Sequence, residues 1–200
     1  MKKISIVFIL VFISSCIAPK KVILDKNITG ISKVNTVLNK DNYKARKTVY
    51  GFLDRKKLSG FILGIEESLQ IPIKKGKTVV ISFTQNGSNC ILAGMDSYRI
   101  SKVIDRQEKI FETFIDTTGI QKFLVYTKKS FFTEFLKDRK KWQLDTSGFI
   151  NDKILKLKET CSGFIILRPS GEYCIYYGGD SFSFLKDRLE VKDWSDKKTH

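Results

Sequence analysis

The sequence predicts an α/β domain with a mixed β-sheet flanked by helices, and three runs of residues support this fold class. Residues 79–84 (VVISFT) form a continuous β-branched and aromatic run, typical of a strand buried on both faces of a sheet. An amphipathic segment and a second apolar run, residues 121–127, follow it, so a parallel strand–helix–strand unit is expected. Residues 164–179 (FIILRPSGEYCIYYGG) place a tight-turn sequence between two apolar runs and predict an antiparallel hairpin.

The segment between the first two strands has the period of an α-helix. Asp96 or Ser97 is a suitable N-cap, and Gly119 is a suitable end signal. Large and mostly apolar side chains recur along one face at helical spacing: Ile100, Val103, Ile104, Gln107, Ile110, Phe111, Phe114 and Ile115. The sequence therefore predicts one long helix that connects the two parallel strands.

Three shorter helices are predicted after the second strand. Residues 130–138 and 149–159 each suit a short helix, with a polar loop between them. Residues 180–191 follow the hairpin and have an amphipathic pattern that Asp180 or Ser181 can cap. The order of parallel pairing first and antiparallel pairing last limits the topologies that the chain can adopt.

The first residues have the layout of a secretory signal. Lys2 and Lys3 precede an apolar run at residues 4–13, which is too short to span a bilayer as a helix. Ile-Ser-Ser-Cys then ends at Cys16 and resembles the lipobox of bacterial lipoproteins, in which that cysteine is lipidated. This resemblance implies a mature chain that begins at Cys16 and is held at a membrane by its acyl chains. The alternative is an ordinary signal peptide in which Cys16 has no such role.

The domain organisation follows from these patterns. Residues 1–15 are predicted to be the signal peptide, 16–48 a polar and basic lipidated tether, 49–193 the folded domain, and 194–200 a polar tail. Residues 50–77 contain short apolar pieces interrupted by glycines and a proline, a pattern that favours a hairpin or an edge strand before the core.

The chain is strongly basic, with a formal net charge of +15. Such a balance is common in nucleic-acid-binding proteins, but an envelope address argues against a nucleic-acid partner. Attraction to anionic lipid headgroups and a generic solvated surface both account for the scattered lysines. The expected partners are the membrane, inner or outer, through the N-terminal lipid, and an envelope protein.

Residues 75–83 (KGKTVVISF) and the hairpin at 164–179 resemble parts of the membrane-anchored, thioredoxin-like thiol–disulfide oxidoreductases of the bacterial envelope. In that family a Gly-Lys pair leads into an apolar strand ending in Phe, and a Cys-x-x-Cys motif follows. The family's closing hairpin also has a glycine turn and a glycine before the final helix. The resemblance covers residues 74–191 and implies a thioredoxin-like three-layer sandwich with a central mixed sheet.

The two defining motifs of that family are altered. Counting back from Cys90, the first cysteine of the pair corresponds to Gly87, so the attacking sulfur is missing and the resolving position is kept. The family's cis-proline loop corresponds to residues 160–163, which read Thr-Cys-Ser-Gly. The bond before Ser162 is expected to be trans, because a cis bond without proline costs about 3 kcal/mol.

The resemblance also brings two cysteines together. In the thioredoxin-like fold the cis-proline loop packs against the active-site turn, which implies that Cys90, in the first turn of the helix, faces Cys161. A Cys90–Cys161 disulfide suits an oxidising compartment. Separate buried thiols, single-cysteine redox chemistry at Cys90 and other pairings remain alternatives. Cys174 lies within a predicted strand and is expected to fill core space as a small apolar residue.

Two functions from different classes follow. The first is a membrane-anchored envelope lipoprotein whose non-catalytic thioredoxin-like domain is a binding or structural module. The second is an atypical single-cysteine thiol oxidoreductase centred on Cys90, with Cys161 as the other candidate. The only histidine is His200, so no Ser–His or Cys–His relay and no metal site is expected, and no cofactor is predicted. The missing attacking sulfur favours the first function.

Overall fold

The computed structural model describes residues 47–88, 90, 92–114, 119–158, 160–179, 181–191 and 194. The predictions for the signal peptide, Cys16, Asp180, Ile115 and all but the last two residues of the tether therefore lie outside the described residues. The strands are β1 (Lys47–Phe52), β2 (Thr78–Thr84), β3 (Ile120–Tyr126), β4 (Trp142–Leu144), β5 (Ser162–Leu167) and β6 (Glu172–Tyr177). The helices are α1 (Arg55–Leu69), α2 (Ser97–Phe114), α3 (Thr133–Leu136) and α4 (Ser181–Glu190), with a π-helical turn at Ile150–Ile154.

All six strands form one sheet in the order β1-β6-β5-β2-β3-β4. The pairs β2–β3 and β3–β4 are parallel, whereas β2–β5, β5–β6 and β1–β6 are antiparallel. The predicted α/β class, with a mixed sheet and helices, is confirmed. β2 lies inside the sheet with a partner on each side, which explains why its residues from Val79 to Thr84 are all buried and mostly apolar.

The sheet has a hydrophobic core on each face. Val79, Ile81 and Phe83 point to the face where α1 and the π-helical turn pack. Val80, between them, belongs to the other core with residues of α2, α3 and α4. Alternate residues of one strand thus bury against different helices. Each fully buried large apolar side chain stabilises the fold by about 1.5–3 kcal/mol.

The predicted long helix and closing hairpin are confirmed. Asp96 caps α2, because its Oδ1 accepts a hydrogen bond of 2.8 Å from the backbone N–H of Arg99. The hairpin turns at Gly171, which has a φ of +98°. Its hydrogen atom faces the Leu53 carbonyl so closely that a Cβ has no room there. Glycine meets both requirements of this turn.

Residues 50–77 differ from the prediction, because α1 occupies most of a segment assigned to a hairpin or an edge strand. β1 is an edge strand, but Asp54 then caps a 15-residue helix by accepting from the N–H of Lys57 at 2.9 Å. The glycines that suggested a break serve packing instead. A Cβ on Gly64 would lie 2.5 Å from the Phe149 ring, so glycine lets this ring approach the helix.

The region between β3 and β5 also differs from two helices joined by a polar loop. α3 and the π-helical turn are present, but β4 lies between them and extends the sheet. The loop residue Asp145 is buried, and its carboxylate accepts from Ser68 Oγ and, at 2.8 Å, from the N–H of Asn151. This polar residue therefore caps the π-helical turn instead of facing solvent.

Both ends of the folded part extend past the predicted limits. β1 begins at Lys47, in the segment assigned to the tether. Trp194, which the sequence assigns to the polar tail, is buried and its ring packs 5.9 Å from that of Tyr50 in β1. The Arg168 guanidinium lies 3.8 Å from the Trp194 ring centre, a cation–π contact that fixes this residue against the hairpin.

Candidate functional site

The candidate site lies where β2 ends and β5 begins. Backbone pairing between these two strands continues past the sheet, because the N–H of Gln85 donates to the Cys161 carbonyl at 2.9 Å. The N–H of Ser88 then donates to the Lys158 carbonyl at 2.8 Å. The two segments that carry the candidate cysteines therefore run side by side.

A disulfide links Cys90 to Cys161, whose Cα atoms lie 5.1 Å apart. Cys90 is fully buried and Cys161 is 4% exposed. Cys90 does not lie in the first turn of the helix, as the resemblance implied. It belongs to a tight turn in which the N–H of Ala93 donates to the Cys90 carbonyl at 3.1 Å, and α2 begins only at Ser97. The N-terminus of helix α2 therefore does not begin at Cys90, where it could lower the pKa of a thiol.

Gly87, which the resemblance aligned with the family's attacking cysteine, packs directly against the opposite segment. A Cβ built on Gly87 would lie 2.5 Å from the Thr160 carbonyl oxygen and 2.7 Å from the Cys161 nitrogen. Both atoms belong to backbone, which cannot rotate away as a side chain can, and the Thr160 carbonyl also accepts from Gln85. The position has no space for any side chain, cysteine included.

A hydrogen-bonded network closes the other side of the site. The Gln85 side chain is fully buried, and its Nε2 donates to the carbonyls of Leu157 at 2.7 Å and Thr160 at 2.8 Å. Its Oε1 accepts from Lys158 Nζ at 3.2 Å. Gln85 thus satisfies the backbone that precedes β5 and holds that segment against the end of β2.

Lys158 connects this network to the π-helical turn. Its Nζ also donates to the carbonyl and the Oδ1 of Asn151, at 2.8 and 2.7 Å. Lys158 is exposed along part of its side chain, but partial burial of the ammonium group disfavours the charged form and lowers the pKa of Lys158 from its usual value. The three oxygen acceptors hold the charged end of Lys158 between Gln85 and Asn151.

Ser162 lies in the segment that the resemblance aligned with the family's cis-proline loop. It begins β5, pairs with Thr84, and donates from Oγ to the Gly178 carbonyl at 3.4 Å. The described residues contain no cis peptide bond. The remaining cysteine, Cys174, is fully buried in β6 and is not part of the disulfide.

The sequence predicts the two cysteines and Gly87 as parts of the site but not Gln85 or Lys158. A signal for Gln85 exists, since a polar residue directly follows a strand buried on both faces. Such a residue must find partners or reach solvent. Lys158 has no comparable signal among the many lysines of the chain.

No family model, no curated protein and no solved structure matches this chain. Among the residues that the structure describes, no group of acidic, cysteine or histidine side chains is arranged to hold a metal ion. In the same residues, no helix is long and apolar enough to cross a bilayer.

Proposed function

We propose that this chain is a lipid-anchored protein of the bacterial envelope whose thioredoxin-like domain is a non-catalytic binding or structural module. The Cys90–Cys161 disulfide is a permanent link within that domain. The observation that carries the proposal is the closed site: both sulfurs are buried and bonded to each other, and Gly87 leaves no room for an attacking side chain.

The topology supports the thioredoxin-like part of the proposal. The four inner strands lie in the order β3-β2-β5-β6, with one parallel and two antiparallel pairs. Helix α2 connects the parallel strands and α4 follows the hairpin, the element order that the resemblance implies. The cysteine-bearing turn follows β2 and the second cysteine precedes β5, as in the family's pair of active-site loops.

The site itself argues against thiol–disulfide exchange. Exchange begins when an accessible thiolate attacks a disulfide, and a neighbouring thiol then resolves the mixed disulfide. Cys90 could become a thiolate only after reduction, and its environment is apolar, which disfavours the charged form. Without a second thiol at Gly87, a mixed disulfide would have only Cys161 to resolve it.

The first test is an insulin-reduction assay. The purified chain is expected to reduce insulin disulfides no faster than a Cys90→Ala/Cys161→Ala variant, with dithiothreitol as the electron donor for both. Native, non-reduced protein should also resist iodoacetamide at Cys90, as read by peptide mass. A several-fold faster reaction of the unaltered chain, or ready alkylation of Cys90, would favour the single-cysteine oxidoreductase.

The second test addresses the anchor. Replacing Cys16 with Ala is expected to release the protein from the membrane fraction or leave it with its signal peptide, because the acyl chains attach at that cysteine. Fractionation after a high-salt wash, with mass measurement of the N-terminus, distinguishes these outcomes from the unaltered protein. Cys174→Ala is a matched control and should stay acylated and membrane-bound. A processed Cys16→Ala protein that remains in the washed membranes contradicts lipid anchoring.

A further inference from the structure

The carboxyl ends of the parallel strands bear exposed basic side chains that the proposed function does not use. Five exposed residues form this group, which we call the carboxyl-end rim: Tyr98, Lys102, Lys128, Lys129 and Lys156. Tyr98 is 72% exposed in the first turn of α2, and Lys102 Nζ lies 5.5 Å from its ring centre. Within the described parts of the chain, no carboxylate forms an ion pair with these four lysines.

The rim lies at one end of the sheet, on both of its faces. Lys128 and Lys129 follow β3 after Thr127, and Lys156 lies in the segment between the π-helical turn and β5, which begins beside the last residue of β2. Tyr98 and Lys102 belong to the start of α2, which the chain enters from the same end of β2. These side chains therefore share one end of the domain.

The N-terminal segment joins the domain at this same end. Lys47, the first residue of β1, pairs with Tyr177. Tyr177 pairs with Gly163, which in turn pairs with Phe83 near the end of β2. The point where the tether meets the domain is thus level with the carboxyl-end rim.

The tether has the composition of a segment that lies near an anionic surface. Thirty residues separate Cys16 from Lys47, and they include seven basic and two acidic side chains. A flexible chain of that length has an average end-to-end distance of about 30 Å. If Cys16 is held in a bilayer, the first strand of the domain stays within a short distance of the headgroups.

We propose that the carboxyl-end rim docks the domain onto the anionic phospholipid surface in which its lipid is anchored, an inference that rests on the proposed anchoring. The lysines match the phosphate groups of such lipids, and an exposed tyrosine beside a lysine suits the interfacial layer. The opposite end is also basic, for example at Lys74 and Lys75, so charge alone does not select the face. The entry point of the tether favours the rim, because docking by the opposite end would use about 20 Å of the tether's reach to pass the sheet.

The experiment uses the non-acylated chain from position 16 onward with Cys16→Ser, so that no lipid contributes to binding. Flotation with phosphatidylcholine vesicles containing about one third phosphatidylglycerol, compared with phosphatidylcholine alone, measures attraction to anionic headgroups. The Lys128→Glu/Lys129→Glu variant tests the rim. The Lys74→Glu/Lys75→Glu variant has the same charge change at the opposite end and is the matched control. Thermal unfolding checks that both variants fold.

Binding is expected only with phosphatidylglycerol, and the rim variant should bind at least about thirty-fold more weakly, because each lysine near the surface contributes to binding. The opposite-end variant should lose less than about threefold. Equal losses in the two variants, no loss in either, or equal binding to neutral vesicles would overturn the docking inference. The Cys16→Ala fractionation does not depend on the vesicle experiment. The two experiments therefore distinguish failure of the docking inference from failure of the proposed lipid anchor.

Discussion

Replacing Gly87 with Ala is expected to lower the free energy of unfolding by about 2–3 kcal/mol, because the new methyl group overlaps backbone. The Cβ would meet the Thr160 carbonyl oxygen at 2.5 Å, and that carbonyl accepts from Gln85. Relief requires the two paired segments to move apart, which weakens the hydrogen bonds that join them. Urea unfolding followed by circular dichroism measures the loss.

Gly60 provides a matched control for this substitution. It lies inside α1, and a Cβ there has no atom within 4 Å. Gly60→Ala should therefore raise the free energy of unfolding by about 0.5–1 kcal/mol through helix propensity. Opposite signs for the two alanines are the expected result. If Gly87→Ala is as stable as the unaltered chain, the close approach to Thr160 is wrong.

The Gly87→Cys substitution tests whether the site can gain thiol–disulfide exchange activity. It restores a Cys-x-x-Cys sequence, yet its side chain has no more room than alanine has. We expect a destabilised protein without insulin-reducing activity. A stable and active Gly87→Cys variant would contradict the close packing at Gly87, because it would mean that the turn has room for a reactive pair of cysteines.

Loss of the disulfide is expected to have the larger effect. The bond closes a loop with a sequence separation of 71, for which the chain-entropy account gives about 4 kcal/mol of stabilisation. A Cys90→Ala/Cys161→Ala variant should unfold at a lower urea concentration by a corresponding amount. The reason lies mainly in the unfolded chain, which becomes free to expand once the two segments are no longer joined.

Dithiothreitol supplies an internal control for that prediction. It should destabilise the unaltered chain to nearly the level of the double variant and leave the variant itself unchanged. Peptide mass under non-reducing conditions identifies the linked pair. A double variant as stable as the oxidised chain, or an unaltered chain that is insensitive to full reduction, contradicts a stabilising role.

Most of the sheet was predictable because its strands carry their own signals. β2 has a mostly apolar run since both of its faces are covered, and the hairpin of β5 and β6 contains a glycine turn. Helix α2 was predictable because one stripe of its surface meets the core. These patterns depend on local burial, which the sequence records residue by residue.

Helix α1 and the interior of the site were not predictable for a different reason. The glycine at position 64 looked like an interruption, but it makes room for Phe149, a residue far away in sequence. The contact of Gly87 with Thr160 and the network of Gln85 likewise join segments more than seventy residues apart. Their meaning depends on a partner that no local pattern identifies.

The position of β1 has a mechanical consequence. Any pull along the proposed tether enters the domain at Lys47, the first residue of an edge strand that only β6 holds within the sheet. When force is applied at one end of a strand, its hydrogen bonds break one after another. We therefore expect β1 to separate from β6 first, and its contact with Trp194 to be lost in the same step. The segment between Cys90 and Cys161 is closed by a covalent bond and lies beyond this line of force. The edge strand would then yield under load while the disulfide-linked half of the sheet keeps its shape.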